Sequence, residues 1–393
     1  MNTVRKIYNF AKRLVSSSIN KYNILVDHAG FKNRGAQLML IATIEQIQRY
    51  RPDAQIIVPY KTYMENPTFC ISNGILPLCN NSKKWTTRRR QFVYNKIMNE
   101  PKYITPDNID LVLDAGGYQF FDQWKYKDSV TYWKNYYLPF SKNGRKIIFL
   151  PQAFGPFEQE SSKEIISSVY ANADHLYARD KISFEHLKST LPSSDRVTLA
   201  SDFTILIESS TNPTIQLPPK EYVLVIANAR MIDLSDKETS DAYLSFMTRA
   251  TQTLIDLNEK VILLNHEGLE DELLLKQINQ NLTSPVPIVT HLSALDTKSI
   301  IKDAKLLICS RFHGVISGLT QSVPTLCTSW SHKYIELLKD HQCNDCLLDI
   351  RDPNQAIRTI TDALANPKNY TSPSECNNKL RKEVTAFWDS VFK

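Results

Sequence analysis

The sequence predicts an α/β protein of two parallel-sheet units, and three observations predict it. Short, near-continuous apolar runs alternate with helix-patterned stretches, as in YNILVD at 22–27 and EYVLVIA at 221–227. Strands apolar on both faces belong to parallel sheets that helices cover on each side. The alternation stops at 208–220 (ESSTNPTIQLPPK), a polar stretch with three prolines, and then restarts. At 393 residues, with 42% hydrophobic and 22% charged residues, the chain has the length of two domains and the balance of a globular protein.

The elements follow in order. Residues 1–20 place Val4, Ile7, Tyr8, Ala11, Leu14 and Val15 on one helical stripe, with Arg5, Lys6, Lys12 and Arg13 between them. That is a basic amphipathic helix, suited to lie on an anionic membrane surface or to pack on the folded domain. The first unit, 21–207, has strands at Tyr22–Asp27, Gln55–Pro59, Ile109–Asp114, Lys146–Leu150 and Val197–Ala200. Its helices fall at Ala36–Tyr50, 88–99, 160–172 and 181–189. After the 208–220 linker, the second unit, 221–375, has strands at Glu221–Ala227, Lys260–Asn265, Lys305–Ser310 and Pro324–Thr328. Helices are expected near 240–258, 269–280, 296–303, 313–321, 331–339 and 353–364. A last helix, within 376–393, carries Leu380, Val384, Phe387, Trp388 and Val391 on its apolar side. The result is two Rossmann-like domains facing across a cleft, with ligands bound outside the carboxyl ends of the strands.

Charge and cysteine usage exclude several classes. A net charge of +6 over this length is modest, against a nucleic-acid partner. No apolar run approaches the ~20 residues of a membrane span, and the first residues lack the apolar core of a secretory signal. The expected location is the cytoplasm, with peripheral contact at the inner face of the membrane through residues 1–20. Seven dispersed cysteines fit reduced thiols and no disulfide framework. The single CxxC at Cys343–Cys346 has no partner pair, and no metal site is expected. Lys83, Lys84, Arg88, Arg89 and Arg90 around Trp85 read as a solvated basic face.

Glycine is the informative count. There are only 10, and a glycine-poor chain keeps them where geometry or close approach demands. Seven of them fall in four short segments. His28–Ala36 (HAGFKNRGA), with Gly30 and Gly35, joins the first strand to the first helix, whose free amides suit an anion. Its spacing is not GxGxxG. Asp114-Ala115-Gly116-Gly117 and Pro151–Pro156, with Gly155, lie at strand ends, and the second reads as a loop. Arg179-Asp180, before a helix, is either a bidentate anion ligand or a surface ion pair. The strongest segment is Cys309–Gly318 (CSRFHGVISG). There a buried strand runs into Arg311, His313 and a helix opening on Gly314, giving a fixed cation, a proton donor and free amides together. His332-Lys333 lies in a second loop expected to face the cleft.

In this order the segments resemble the polysaccharide pyruvyl transferase family. The residues that carry the resemblance are Asn33 and Gly35, Gly116 and Gly117, Gln152 with Gly155-Pro156, Arg179-Asp180 with Ser183, Ser201-Asp202, Arg311-x-His313, Pro324 and Lys333. It spans about residues 22–340. Two positions depart from the pattern: Ala36 and Gln37 stand where an acid is common, and Ala115 where a third glycine is. The resemblance implies a fold like that of B-type glycosyltransferases. It also implies transfer of the enolpyruvyl carbons of phosphoenolpyruvate onto two hydroxyls of one sugar, giving a cyclic ketal and phosphate. The acceptor would be a saccharide, carried on a polyprenyl lipid as a precursor of a surface polysaccharide. Phosphoenolpyruvate is then the donor substrate, and no cofactor is needed.

On this reading Arg311 and Arg179 hold the donor's charges, with Phe312, Gly314 and Lys333 beside them. His313 is the general acid at the methylene carbon or at the leaving phosphate. Asn33, Gly35, Gly116 and Gly117 meet the acceptor. The base is one of Asp114, His28 and His332, with Asp114 named first. The alternatives are a B-type glycosyltransferase using a nucleotide sugar, and a non-catalytic member of a capsule-assembly complex.

Overall fold

The computed structural model describes residues 21–78, 104, 106–122, 129–210, 213 and 220–393, with the backbone alone at 129, 130 and 134. The expected helices at 1–20 and 88–99, the basic segment 83–90 and most of the 208–220 linker lie outside the described residues.

The first unit contains β1 (Asn23–Asp27), β2 (Gln55–Pro59), β3 (Leu76–Leu78), β4 (Leu111–Asp114), β5 (Tyr118–Phe120), β6 (Lys146–Phe154), β7 (His175–Ala178) and β8 (Val197–Leu199). They form one sheet in the order β3-β2-β1-β4-β6-β7-β8, with β5 paired to the end of β6. The second unit contains β9 (Tyr222–Ile226), β10 (Lys260–Leu264), β11 (Ile288–Val289), β12 (Leu306–Cys309) and β13 (Thr325–Cys327), in the order β11-β10-β9-β12-β13. Every described pair of these strands is parallel.

Both sheets bury both faces. Ile24 and Val26 of β1 point into one core and Leu25 into the other, the two-residue period of a strand. In each sheet the chain starts in the middle, builds one way and then reverses. The reversals fall between β1 and β4, where Asp27 pairs with Asp114, and between β9 and β12, where Ile226 pairs with Cys309. Such switch points leave a crevice at the strands' carboxyl ends. His28 and Arg311 follow directly from them.

One expectation is corrected here. Pro151–Phe154 is not loop but the end of β6, because β5 pairs with it at Ala153 and Phe154. Gln152 is therefore a buried strand residue. The apolar run before Arg179 is β7.

The units are joined by close packing. Helix Arg34–Tyr50 is capped by Asn33, whose Oδ1 accepts from the Ala36 N–H at 2.6 Å. The same helix meets the second unit: Gln37 Oε1 accepts from the Ala294 N–H at 3.0 Å. A Cβ on Gly35 would stand 2.3 Å from His313 Nδ1. Gly35 is thus needed for close approach of the two units. The C-terminal helix, Ser374–Phe392, returns to the first unit. Its Trp388 is fully buried against Phe203, Phe387 packs on Tyr177, and Tyr50 donates to Asp389 at 2.7 Å.

Candidate active site

A cavity of about 320 Å³ lies where the two switch points face each other. His28, Gly117 and Gln119 line it from the first unit, and Asn228, His313 and Lys333 from the second. Asn33 and Gly35 border it, and the Asn33 backbone pairs with Glu267 across it.

The β1–β4 side is built around a carboxylate. Asp114 is fully buried. Its Oδ1 accepts from the Gly116 N–H at 3.0 Å, Gln119 Nε2 at 2.7 Å and Gln152 Nε2 at 3.1 Å; its Oδ2 accepts from the Tyr137 hydroxyl and faces His28 Nδ1 at 2.7 Å. Burial alone would raise its pKa; His28, Tyr137 and the Gly116 amide outweigh this and lower it. The expectation that Asp114 is a catalytic base is corrected: its oxygens are taken, and it holds other groups in place. Gly116 serves the same network, since a Cβ there would stand 1.8 Å from Gln119 Nε2.

His28 sits in the left-handed region at φ 55°, a conformation that marks functional turns when a side chain must be aimed. Asp27 Oδ1 accepts its backbone N–H at 2.8 Å, and Tyr136 donates to Asp27 Oδ2 at 2.6 Å. With Nδ1 given to Asp114, Nε2 is the atom open to a ligand. Burial works against protonation, but Asp27 and Asp114 overcome it and raise the pKa to about 9. His28 is an imidazolium at neutral pH.

This has a pH consequence. The unfolded pKa is ~6.5, so the His28 contribution to stability is fully present below that value. It is lost as pH rises through about 9. Thermal melts of the native protein and of His28→Gln should therefore converge between about pH 6.5 and 9. Taking the difference removes the other titrating groups, among them Lys298, whose burial lowers its pKa to about 7. Parallel curves over that window would show that His28 is not held protonated.

The β9–β12 side differs from expectation. Arg311 does not stand free: its Nε donates to Asp271 Oδ2 at 2.7 Å, its Nη2 to Asp271 Oδ1 at 2.5 Å, and its Nη1 to Glu267. Two carboxylates neutralise the guanidinium, so Arg311 braces the cleft wall. Arg179 donates to Asp202 at 3.1 Å and lies 4.0 Å over the Phe312 ring, but its buried Nε has no partner. Lys333 is buried among Trp330 at 4.2 Å and Tyr118 at 4.8 Å, with no carboxylate in salt-bridge range among the described residues. Burial, then Arg179 and Arg311, drive its pKa well down. Lys333 and Arg179 are therefore the basic groups with capacity left for an anion, and a bound anion would favour the charged form of Lys333. Gly314 packs against Cys309 Sγ, 2.5 Å from where a Cβ would stand.

His313 is also revised. Its ring is wedged by Gly35, with Nε2 buried, unpartnered and 3.7 Å from Asp202 Oδ2. Burial dominates, Asp202 opposes it, and Arg179 and Lys333 add to it, so its pKa falls to about 4. A neutral imidazole is no ready acid at neutral pH. His332 turns away from the cavity, with Nε2 3.6 Å from Asp180 and its ring near His186. Asp180 is the N-cap of helix Lys181–Thr190 and accepts from the Ser183 N–H and hydroxyl.

Sequence reading missed Tyr137, Gln119, His266, Glu267, Asp271 and Trp330. One signal was present: Glu267 and Asp271 are four apart at the start of helix Gly268–Gln280, on one face.

A family model, polysaccharide pyruvyl transferase, matches residues 33–332. The chain belongs to the polysaccharide pyruvyl transferase family. Among solved structures it is similar to the UDP-GlcNAc 2-epimerase of Neisseria meningitidis, at 11% identity and TM-score 0.60, covering 94% of this chain and 99% of that one. It is also similar to Anabaena Alr3699/HepE, at 9% identity and TM-score 0.59, covering 94% and 98%. The Methanocaldococcus jannaschii UDP-GlcNAc 2-epimerase matches at 12% identity and TM-score 0.57, covering 93% and 99%. At these identities the likeness is one of fold. This pyruvyl transferase family member has the two-domain B-type architecture, with its cavity between the domains. Among the described residues no helix is long and apolar enough to cross a membrane, and no cluster of His, Cys, Asp and Glu is placed to hold a metal.

Proposed function

We propose that this protein transfers the enolpyruvyl carbons of phosphoenolpyruvate onto two hydroxyls of a saccharide, forming a cyclic ketal and releasing phosphate. Family membership supplies the reaction class. The observation that carries the assignment to this cavity is the placing of His28, whose pKa is raised, opposite two basic groups that lack a full set of partners, Lys333 among aromatic rings and Arg179 with a bare Nε, across one cleft.

The donor carries a carboxylate and a phosphate, and Lys333 and Arg179 answer those charges. His313 starts neutral and takes up a proton as the anion arrives, which makes it part of the binding site. His28 protonates the methylene carbon, leaving a cation at the neighbouring carbon that the first sugar hydroxyl attacks. That hydroxyl's proton returns to His28. The carbon–oxygen bond to phosphate then breaks, and the second hydroxyl closes the ketal as its proton leaves with phosphate. The two hydroxyl protons thus end on the new methyl group and on phosphate, and no redox partner or cofactor enters the balance. The acceptor we propose is a polyprenyl-linked saccharide met at the inner face of the cytoplasmic membrane, with the N-terminal residues 1–20 near it.

The test is phosphate release from phosphoenolpyruvate, measured against a panel of simple and lipid-linked glycosides. Acceptor-dependent release with a pyruvate ketal in the product supports the reading. Transfer of the sugar from a nucleotide sugar with no pyruvate ketal formed, or no release with any acceptor, overturns it.

A further inference from the structure

A second, larger cavity of about 680 Å³ opens beside the first, within the ~300–1,000 Å³ range of ligand pockets. It lies wholly on the first unit. His28 and Gln119 line both cavities, so the imidazole stands at their junction. The larger cavity's walls are aromatic: Phe120, Phe121, Tyr132, Trp133 and Phe157. Trp133 packs on the His28 ring at 5.1 Å and Tyr132 crosses Trp133 edge-on at 5.1 Å. Tyr132, which also packs on Tyr136 at 4.9 Å, is 48% exposed and leaves part of its ring toward solvent. Aromatic ring faces carry negative charge density and attract the polarised C–H face of a sugar ring, while Gln159 and Ser161 offer partners for hydroxyls.

The rim is basic. Lys32 and Lys61 both line it and both are exposed. The neighbouring Lys32 charge, with a little burial, lowers the Lys61 pKa, and Glu65 opposes them. Glu65, one helical turn after Lys61, is the acid that acts on it, and its Oε2 accepts from the Phe31 N–H at 3.2 Å. The cavity's acid, Asp122, is occupied, accepting from the Glu158 and Gln159 N–H groups and the Ser162 hydroxyl. Two exposed lysines against one nearby acid leave this part of the rim net positive, which favours an anion.

We infer that the aromatic cavity seats the acceptor sugar and that Lys32 and Lys61 clamp a phosphate attached to it, so that the acceptor is a glycosyl phosphate. The inference rests on the reading above, because it is His28 that joins this seat to the donor cleft. It replaces the expected acceptor contacts at Asn33, Gly35 and Gly116, whose groups are committed to capping and packing. A polyprenyl-linked and a nucleotide-linked saccharide share this chemistry.

The probes are the 1-phosphates of glucose, galactose and N-acetylglucosamine, set against the matching methyl glycosides. Binding is read by quenching of tryptophan fluorescence, with Trp133→Phe locating the signal. At least one sugar phosphate should bind on the order of ten-fold more tightly than its methyl glycoside, and less so at high salt. The double variant Lys32→Ala/Lys61→Ala should erase that preference, and Tyr132→Ala should weaken both ligands. Both variants lie at exposed positions, so folding is preserved. Phosphoenolpyruvate binding, measured by calorimetry, should be unchanged in each, and saturating phosphoenolpyruvate should not displace the sugar phosphate. Comparing undecaprenyl-linked with nucleotide-linked sugars in the turnover assay then separates the two sources. The inference is overturned if no sugar phosphate binds, if the phosphate gives no advantage, if the lysine variant keeps it, or if phosphoenolpyruvate competes. Failure of phosphoenolpyruvate to bind at all would instead overturn the proposed reaction, whatever the sugars do.

Discussion

Replacing His28 with glutamine should lower kcat about 10²–10⁴-fold, the usual worth of general acid catalysis, while phosphoenolpyruvate binding stays within a few-fold. Glutamine can still hydrogen-bond to Asp114, so the pocket keeps its shape. It cannot deliver a proton to carbon. His313→Gln should show the opposite split: its imidazole is neutral before the donor arrives, so its loss should raise the donor KM more than it lowers kcat. Calorimetry in buffers of different ionisation enthalpy adds a second readout. The native protein should take up a proton on binding phosphoenolpyruvate near neutral pH, and His313→Gln should take up less. A His28→Gln enzyme with near-native kcat would remove His28 from the chemistry.

The second large effect concerns stability. Asp271→Ala should destabilise the protein by about 3–5 kcal/mol, the cost of leaving one partner of a buried ion pair alone. Asp271 is fully buried and holds two nitrogens of Arg311. Glu267 lies at the half-exposed side of the same guanidinium, where water can substitute, so Glu267→Gln should cost far less. Pairing Asp271→Leu with Arg311→Met should recover much of the loss, because it removes both charges. Denaturant melts check all three. If Asp271→Ala melts like the native protein, Arg311 is not held as described, and its expected role as a free donor ligand regains force.

The fold was legible wherever an apolar run was long enough to be buried on both faces. β1, β2, β9, β10 and β12 lie within one or two residues of expectation. β3, β5 and β11 were not legible, because two or three residues carry no period and their strand character comes from the neighbour they pair with. The place of the site was legible too, since His28, Asp114, Arg179, Arg311 and His313 end or follow strands. Their roles were not. The protonation of His28 depends on Asp114, 86 residues away, and the neutralisation of Arg311 on Asp271, 40 residues before it. Residue type and spacing fix neither distance, and each reverses a role: the candidate base His28 is charged, and the expected donor ligand Arg311 is already neutralised.

The return of the last helix to the first domain bears on how the cleft can open. The polypeptide passes between domains twice, once after Ile207 and once before Ser374. A body tied to another at a single point can swing in any direction; tied at two, it is left with one easy rotation, about the line through both ties. On this geometry Ser374–Phe392 would turn a ball joint into a door hinge, and the groups carried on the two leaves, His28 on one and Lys333 on the other, would meet along one arc.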